Sequence, residues 1–252
     1  MANGDLRMMR LAAAASAFTL WLAIPAHADS ISNLKVDGQA NIFSAGRGYT
    51  VTAGDGQGGV LPTEVTLTNP ASLDRGFMFS GVEGKASWRG GGETAGSADG
   101  ETGVVTLQGL DRISGITAPR GLTGVFLDDQ PSKGIPEFPE SLNFGSGNGA
   151  IPADFTSLNP KIGQLFFIGD GKNSNGATQQ FYAPNGATKL FLGFADGSED
   201  GKPGFYGDNT GEITLGLQSG LIAPAPVPEP ATLLAWGAVA LTALAVRARR
   251  RS

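Results

Sequence analysis

The chain has no cysteine, and its single histidine, His27, lies near the N-terminus of 252 residues. Beyond position 27 neither a Ser-His-Asp nor a Cys-His nucleophile system can be assembled. The nitrogen and sulfur donors of ordinary zinc sites are excluded by the same absence. Oxygen-ligated cations, calcium foremost, stay available. Basic residues are also scarce: from 29 to 226 there are 12 against 21 acidic ones, a net charge of −9. Such a surface repels nucleic acid and attracts cations, so nucleic acid is not an expected partner. Between the two ends no long segment carries a 3.6-residue period, and no repeat of fixed length occurs.

What the middle of the chain does contain is turns and aromatic residues. Gly (39) and Pro (15) are abundant, and 13 of the 14 Phe follow residue 28. Short segments with alternating character at 31–36, 64–68, 77–82, 104–107 and 125–127 are separated by Gly, Pro, Asn or Asp. This pattern predicts an all-β domain, a sandwich or barrel, over 29–218. From Asp128 to Lys161 the alternation fails among Pro131, Pro136, Pro139, Pro152 and Pro160, which predicts a long surface loop. Strand pattern returns at 164–168 and 178–183. Pro184-Asn185-Gly186 then predicts a tight turn, Pro second, folding the next strand back as a hairpin.

The two ends read differently. Arg7 and Arg10 precede an apolar run from Leu11 to Ile24, and Ala26-His27-Ala28 has the small-x-small form of a cleavage site. Residues 1–28 are therefore expected to be a signal peptide with an apolar helix. At the other end, a Pro-rich linker (219–230) containing Pro228-Glu229-Pro230 leads into an apolar run from Ala231 to Val246, closed by Arg247, Arg249, Arg250 and Arg251. Sixteen helical residues span ~24 Å against ~30 Å of hydrocarbon, so a membrane crossing needs help from the flanks. Together the motif, the apolar segment and the arginines over 227–252 resemble the PEP-CTERM sorting tail. That resemblance implies export, an exosortase as processing partner, an inner-membrane intermediate held by the C-terminal helix, and final release to the cell surface or outside.

The oxygen-rich stretch lies between two alternating segments, 190–194 and 213–217. It holds Asp196, Ser198, Glu199, Asp200, Asp208 and Asn209 among five glycines. An EF-hand reading of Asp196–Gly207 fails. Its twelfth position is Gly207 where a Glu is required, Pro203 interrupts it, and strands rather than helices are predicted on both sides. Taken as Asp196 followed by Pro203-Gly204-Phe205-Tyr206-Gly207-Asp208-Asn209-Thr210-Gly211, the stretch resembles the calcium-dependent, galactose-binding bacterial lectins of the PA type. The likeness is strong over about 163–217 and faint upstream.

The resemblance implies a lectin-like β-sandwich holding Ca²⁺. Asp196, Asp208 and Asn209 would be side-chain ligands and Phe205 a carbonyl ligand, with sugar hydroxyls completing the shell. Ala86-Ser87-Trp88-Arg89-Gly90 is weakly similar to an earlier segment of that family that gives one more carbonyl, which adds Trp88 and Arg89 as candidates. Six residues separate Asp196 from Pro203, more than in the family pattern, and Asp200 among them is a further candidate ligand. Asp208 stands where the family has Asn. Phe166, Phe167, Phe181, Tyr182 and Phe191 are expected in the core, and 170–176 is expected to form a loop tip near the same end of the sheet.

The expected function is that of an exported, calcium-dependent protein binding carbohydrate or exopolysaccharide in the extracellular matrix. The alternative is a structural matrix or adhesion protein in which calcium only pins a loop. No pair of carboxylates stands out as a glycosidase pair, and no enzymatic activity is expected.

Overall fold

The computed structural model describes residues 29–52, 58–67, 75–88, 96–100, 103–131, 137–152, 154–198 and 200–221. The expected signal helix and sorting helix lie outside these residues, as do Arg89 and Glu199. The described part is all β. Twelve strands follow in order: β1 (Asp29–Asp37), β2 (Thr63–Thr66), β3 (Arg75–Ser87), β4 (Val104–Leu107), β5 (Ile116–Pro119), β6 (Leu122–Leu127), β7 (Leu142–Asn143), β8 (Ser157–Leu158), β9 (Leu165–Phe167), β10 (Gln180–Tyr182), β11 (Lys189–Phe194) and β12 (Thr210–Leu221). Two 3-10 turns, Ile42–Ser44 and Tyr206–Asp208, complete the elements.

These strands form three sheets rather than a simple pair: β1-β12-β3-β10-β8, β2-β11-β6-β9 and β4-β5-β7. Alternation explains the layering, because the middle sheet is apolar on both faces. Leu190, Leu192 and Phe194 of β11 join Leu122 and Phe126 of β6 and Phe166 of β9 in a core against the first sheet. Phe191, Val125, Leu127 and Leu165 face the other way and pack on Val105, Leu107, Ile116 and Ala118 of the third sheet. Strands buried on both sides lose the apolar-in, polar-out signature of a two-layer sandwich.

Aromatic rings join the first two layers. Phe77 lies 5.6 Å from Phe126, which stacks on Phe166 at 5.2 Å; Phe166 stacks on Phe181 at 5.2 Å, and Phe181 meets Phe79 edge-on at 5.4 Å. Such pairs add specificity of geometry to the area they bury. In the first sheet the long strand β12 lies between β1 and β3 and is antiparallel to both. The β1 register slips between Ile31 and Leu34, where Asn33 takes a φ of 60°.

Two expectations about connections are corrected. The turn at Pro184 exists, with the Ala187 N–H donating to the Pro184 carbonyl at 3.1 Å and Gly186 at φ 85°. Proline is therefore the first turn residue, not the second. No hairpin follows: β10 pairs with β3 and β8, whereas β11 pairs with β2 and β6, so the turn carries the chain from one sheet to another. Likewise the span from Asp128 to Lys161 is not only loop. It supplies β7, parallel to β5, and β8, parallel to β10, together with Phe144 and Phe155, which pack on the core.

Candidate functional site

Because β11 belongs to the middle sheet and β12 to the first, the segment between them bridges two layers at one end of the fold. Its first part is a small hairpin of its own. Gly197 bridges Pro203, the Ser198 N–H donates to the Lys202 carbonyl at 2.9 Å, and the Gly204 N–H donates to the Asp196 carbonyl at 3.1 Å. The residues that lengthen this stretch relative to the lectin pattern thus close on themselves. Asp200 sits on the hairpin, its carboxylate 2.6 Å from the Lys202 ammonium and bonded to the Ser198 hydroxyl. These two partners hold its pKa down at about 2. Both partners of its carboxylate therefore lie within the hairpin itself.

The second part is pinned by Tyr206. The ring is fully buried, and its hydroxyl donates to the Phe194 carbonyl at 3.0 Å while accepting the Asp196 N–H at 3.1 Å. Burial keeps the phenol un-ionised, its pKa well above the ordinary value. Tyr206 fits only because Gly59 lacks a side chain. A Cβ there would lie 2.6 Å from the Tyr206 Cβ and collide with the Gln39 carbonyl, and its φ of +67° also favours glycine. Gln39 itself staples the loop, its Nε2 donating to the carbonyls of Gly207 at 3.3 Å and Asn209 at 3.0 Å.

This scaffold fixes Asp196 at the end of β11 and Asn209 at the start of β12, and it buries both, at 3% and 0% exposure. One Asp196 oxygen accepts the Gly197 N–H at 2.8 Å. The other, Oδ2, has no partner, and neither amide atom of Asn209 has one. Asn209 lies close enough to favour the Asp196 anion, yet the two do not complete a hydrogen bond. Since both ends of the amide are unpartnered, either rotamer presents an oxygen.

Burial pushes the Asp196 carboxyl up to about 7, against the opposing pull of the Gly197 N–H, the Asn209 amide and the Arg120 guanidinium; Asp208 adds to the rise. Trp88 completes the group. It follows Ser87, which pairs with Thr210, and its ring meets Phe194 edge-on at 5.5 Å. Its buried Nε1 is also without a partner. Among the described residues, every buried side-chain N or O lacking a partner belongs to Trp88, Asp196 or Asn209. Each unmet group costs ~1–3 kcal/mol, so their concentration at three adjoining strand ends calls for a physical reason.

The other expected ligands divide. Phe205, in the left-handed region at φ 67°, and Asp208 flank the turn and are exposed. Trp88 is a core residue whose indole nitrogen donates only, so the ligand expected of it is its backbone carbonyl. Among the described residues no three Asp, Glu, His or Cys side chains come together, so a full shell here would need amide and carbonyl oxygens besides the carboxylates. Such a mixed oxygen set suits Ca²⁺, which takes 6–8 oxygens in flexible geometry. Sequence reasoning missed Gln39, Tyr206 and Arg120. Tyr206 stood inside the quoted motif, but Gln39 and Arg120 carry no local signal that points to a loop so distant in sequence.

Compared with protein-family models, with curated proteins and with solved structures, the chain matches none of them. The likeness to PA-type lectins and to PEP-CTERM tails rests on the residues quoted above.

Proposed function

We propose that the protein is an exported lectin-like β-sandwich variant that binds carbohydrate through a Ca²⁺ ion held by Asp196, Asn209 and Asp208, with the Phe205 carbonyl beside them. The observation that carries this reading is the buried pair Asp196 and Asn209 on adjoining ends of two sheets, in which the Asp196 Oδ2 and both amide atoms of Asn209 lack a partner. A divalent cation would supply the missing partner to both oxygens and offset the cost of an ionised carboxylate inside the protein. Exposed Phe205 and Asp208 give the site a solvent side, which a sugar needs if its hydroxyls are to replace water on the ion. The motif order from Asp196 to Gly211 adds the resemblance to calcium lectins, and the PEP-CTERM-like end fits a destination among extracellular polysaccharides.

A second reading has its own support. Asp196 and Asn209 are almost wholly buried, so an ion between them could tie the two sheets together without ever meeting a ligand. A glycan array run with calcium and with chelator separates the two. Binding that disappears on chelation supports the lectin reading. Calcium-dependent stability with no glycan bound supports the structural one.

A further inference from the structure

We propose that the cleft between Phe144, Phe155 and Phe167 on one side and Asp99, Asp170 and Lys172 on the other is a second glycan subsite. It is metal-independent and takes one pyranose ring of a chain that also reaches Asp196. The inference rests on the carbohydrate reading above. The cleft has a volume of about 270 Å³. Pockets for small molecules run from ~300 to 1,000 Å³, so this one suits a single ring.

Its two sides differ as the two aspects of a sugar ring differ. Phe144, Phe155 and Phe167 are half-buried, with Phe144 tilted by 51° against Phe155 and by 50° against Phe167. They give the C–H face of a pyranose an apolar surface. On the polar side, the Asp99 Oδ1 accepts the Asp170 N–H at 2.8 Å and the Asp170 Oδ1 accepts the Lys172 N–H at 2.8 Å. Each carboxylate is fixed through one oxygen and, among the described residues, keeps the other for a ligand. Hydroxyls both donate and accept, so two carboxylate oxygens and an ammonium match them.

The rim is pre-organised, which lowers the entropy cost of binding. The buried Asn173 side chain accepts the N–H groups of Asn175 at 3.0 Å and Ala177 at 2.9 Å and donates to the Asp154 carbonyl at 3.2 Å. Position also favours a shared ligand. The Leu122 carbonyl accepts the Ile168 N–H at 2.9 Å, and Leu122 pairs with Phe194. β9 and β11 therefore flank β6 and leave the sheet at the same end, with Ile168 and Phe194 about two interstrand spacings, ~10 Å, apart and Asp170 and Asp196 each two residues further along. That is within reach of consecutive residues of one oligosaccharide.

The test is titration of the purified protein, in chelator, with methyl β-D-galactopyranoside, methyl β-D-glucopyranoside and methyl α-D-mannopyranoside, followed by NMR of the phenylalanine rings. At least one sugar is expected to saturate and to shift Phe144, Phe155 and Phe167. Asp170→Asn, which keeps the turn-capping oxygen, and Lys172→Ala should each weaken that binding about tenfold, equivalent to ~1.4 kcal/mol, with melting unchanged. No saturation by any of the three sugars, or full binding by both rim variants, overturns the proposal. Saturation by N-acetylphenylalanine amide instead of sugar assigns the cleft to peptide side chains and overturns it as well. Because every arm is free of calcium, failure of the ion site at Asp196 leaves this readout unaffected.

Discussion

Asp196 and Asn209 come from different sheets and meet at one end of the fold, near enough that the amide favours the carboxylate's charge, and neither completes a hydrogen bond to the other. The arrangement is unfavourable for the protein alone and favourable around a cation. Most of what can be tested follows from that contrast.

Without metal, stability should fall as pH rises from about 4 to about 7. An unfolded Asp titrates near 3.9, while folded Asp196 titrates at about 7. Between those values the folded chain holds the extra proton, so the stability present at low pH is lost on the way up and stays lost above 7. A shift of about three units corresponds to ~4 kcal/mol. Urea unfolding in chelator across this range measures it, and Asp196→Asn should flatten the profile.

Calcium affinity should run the other way. Binding requires the carboxylate, so the ion displaces the proton below pH 7, and affinity should rise by about tenfold per unit up to that point and level off above it. Calorimetry in buffers of different ionisation enthalpy reads the released proton directly.

Tyr206→Phe should destabilise the metal-free protein by ~1–3 kcal/mol, because it leaves the buried Asp196 N–H and Phe194 carbonyl short of a partner. It should also weaken calcium binding several-fold, since the hydroxyl fixes the backbone of Asp196. Denaturant midpoints and calcium titration check the two effects separately.

Gly59→Ala should cost ~1–3 kcal/mol, through its positive φ and the collision with Gln39 and Tyr206. Asp200→Asn is the contrasting control. Its pairing with Lys202 lies on the exposed hairpin, and loss of an exposed pair should leave both melting and calcium affinity almost unchanged. Thermal melts of the two variants decide between them.

The strands were legible in the sequence where one face is apolar and the other is not. Val104 to Leu107 is observed with the expected ends, and β1, β3 and β6 extend the expected segments. Of the third layer only β4 was legible, since β5 is a four-residue run ending in proline and β7, like β8 of the first sheet, has two residues. The turn at Pro184 could be read but its outcome could not. A local bend is the same whether the next strand pairs with its predecessor or crosses to another sheet, and burial of both faces of β11 decided the matter. In the same way Asp196 and Asn209 stood out as oxygen donors, while their burial depends on Tyr206, Gln39 and Gly59, which only the fold brings together.

The most direct measurement is the melting temperature of the protein as calcium is added to millimolar levels, for the wild type and for Asp196→Ala. A wild-type rise equivalent to ~4 kcal/mol at a thousand times the dissociation constant, with most of it gone in the variant, is the predicted result. An unchanged melting temperature in the wild type, or an equal rise in both proteins, would contradict an ion held by Asp196 and Asn209.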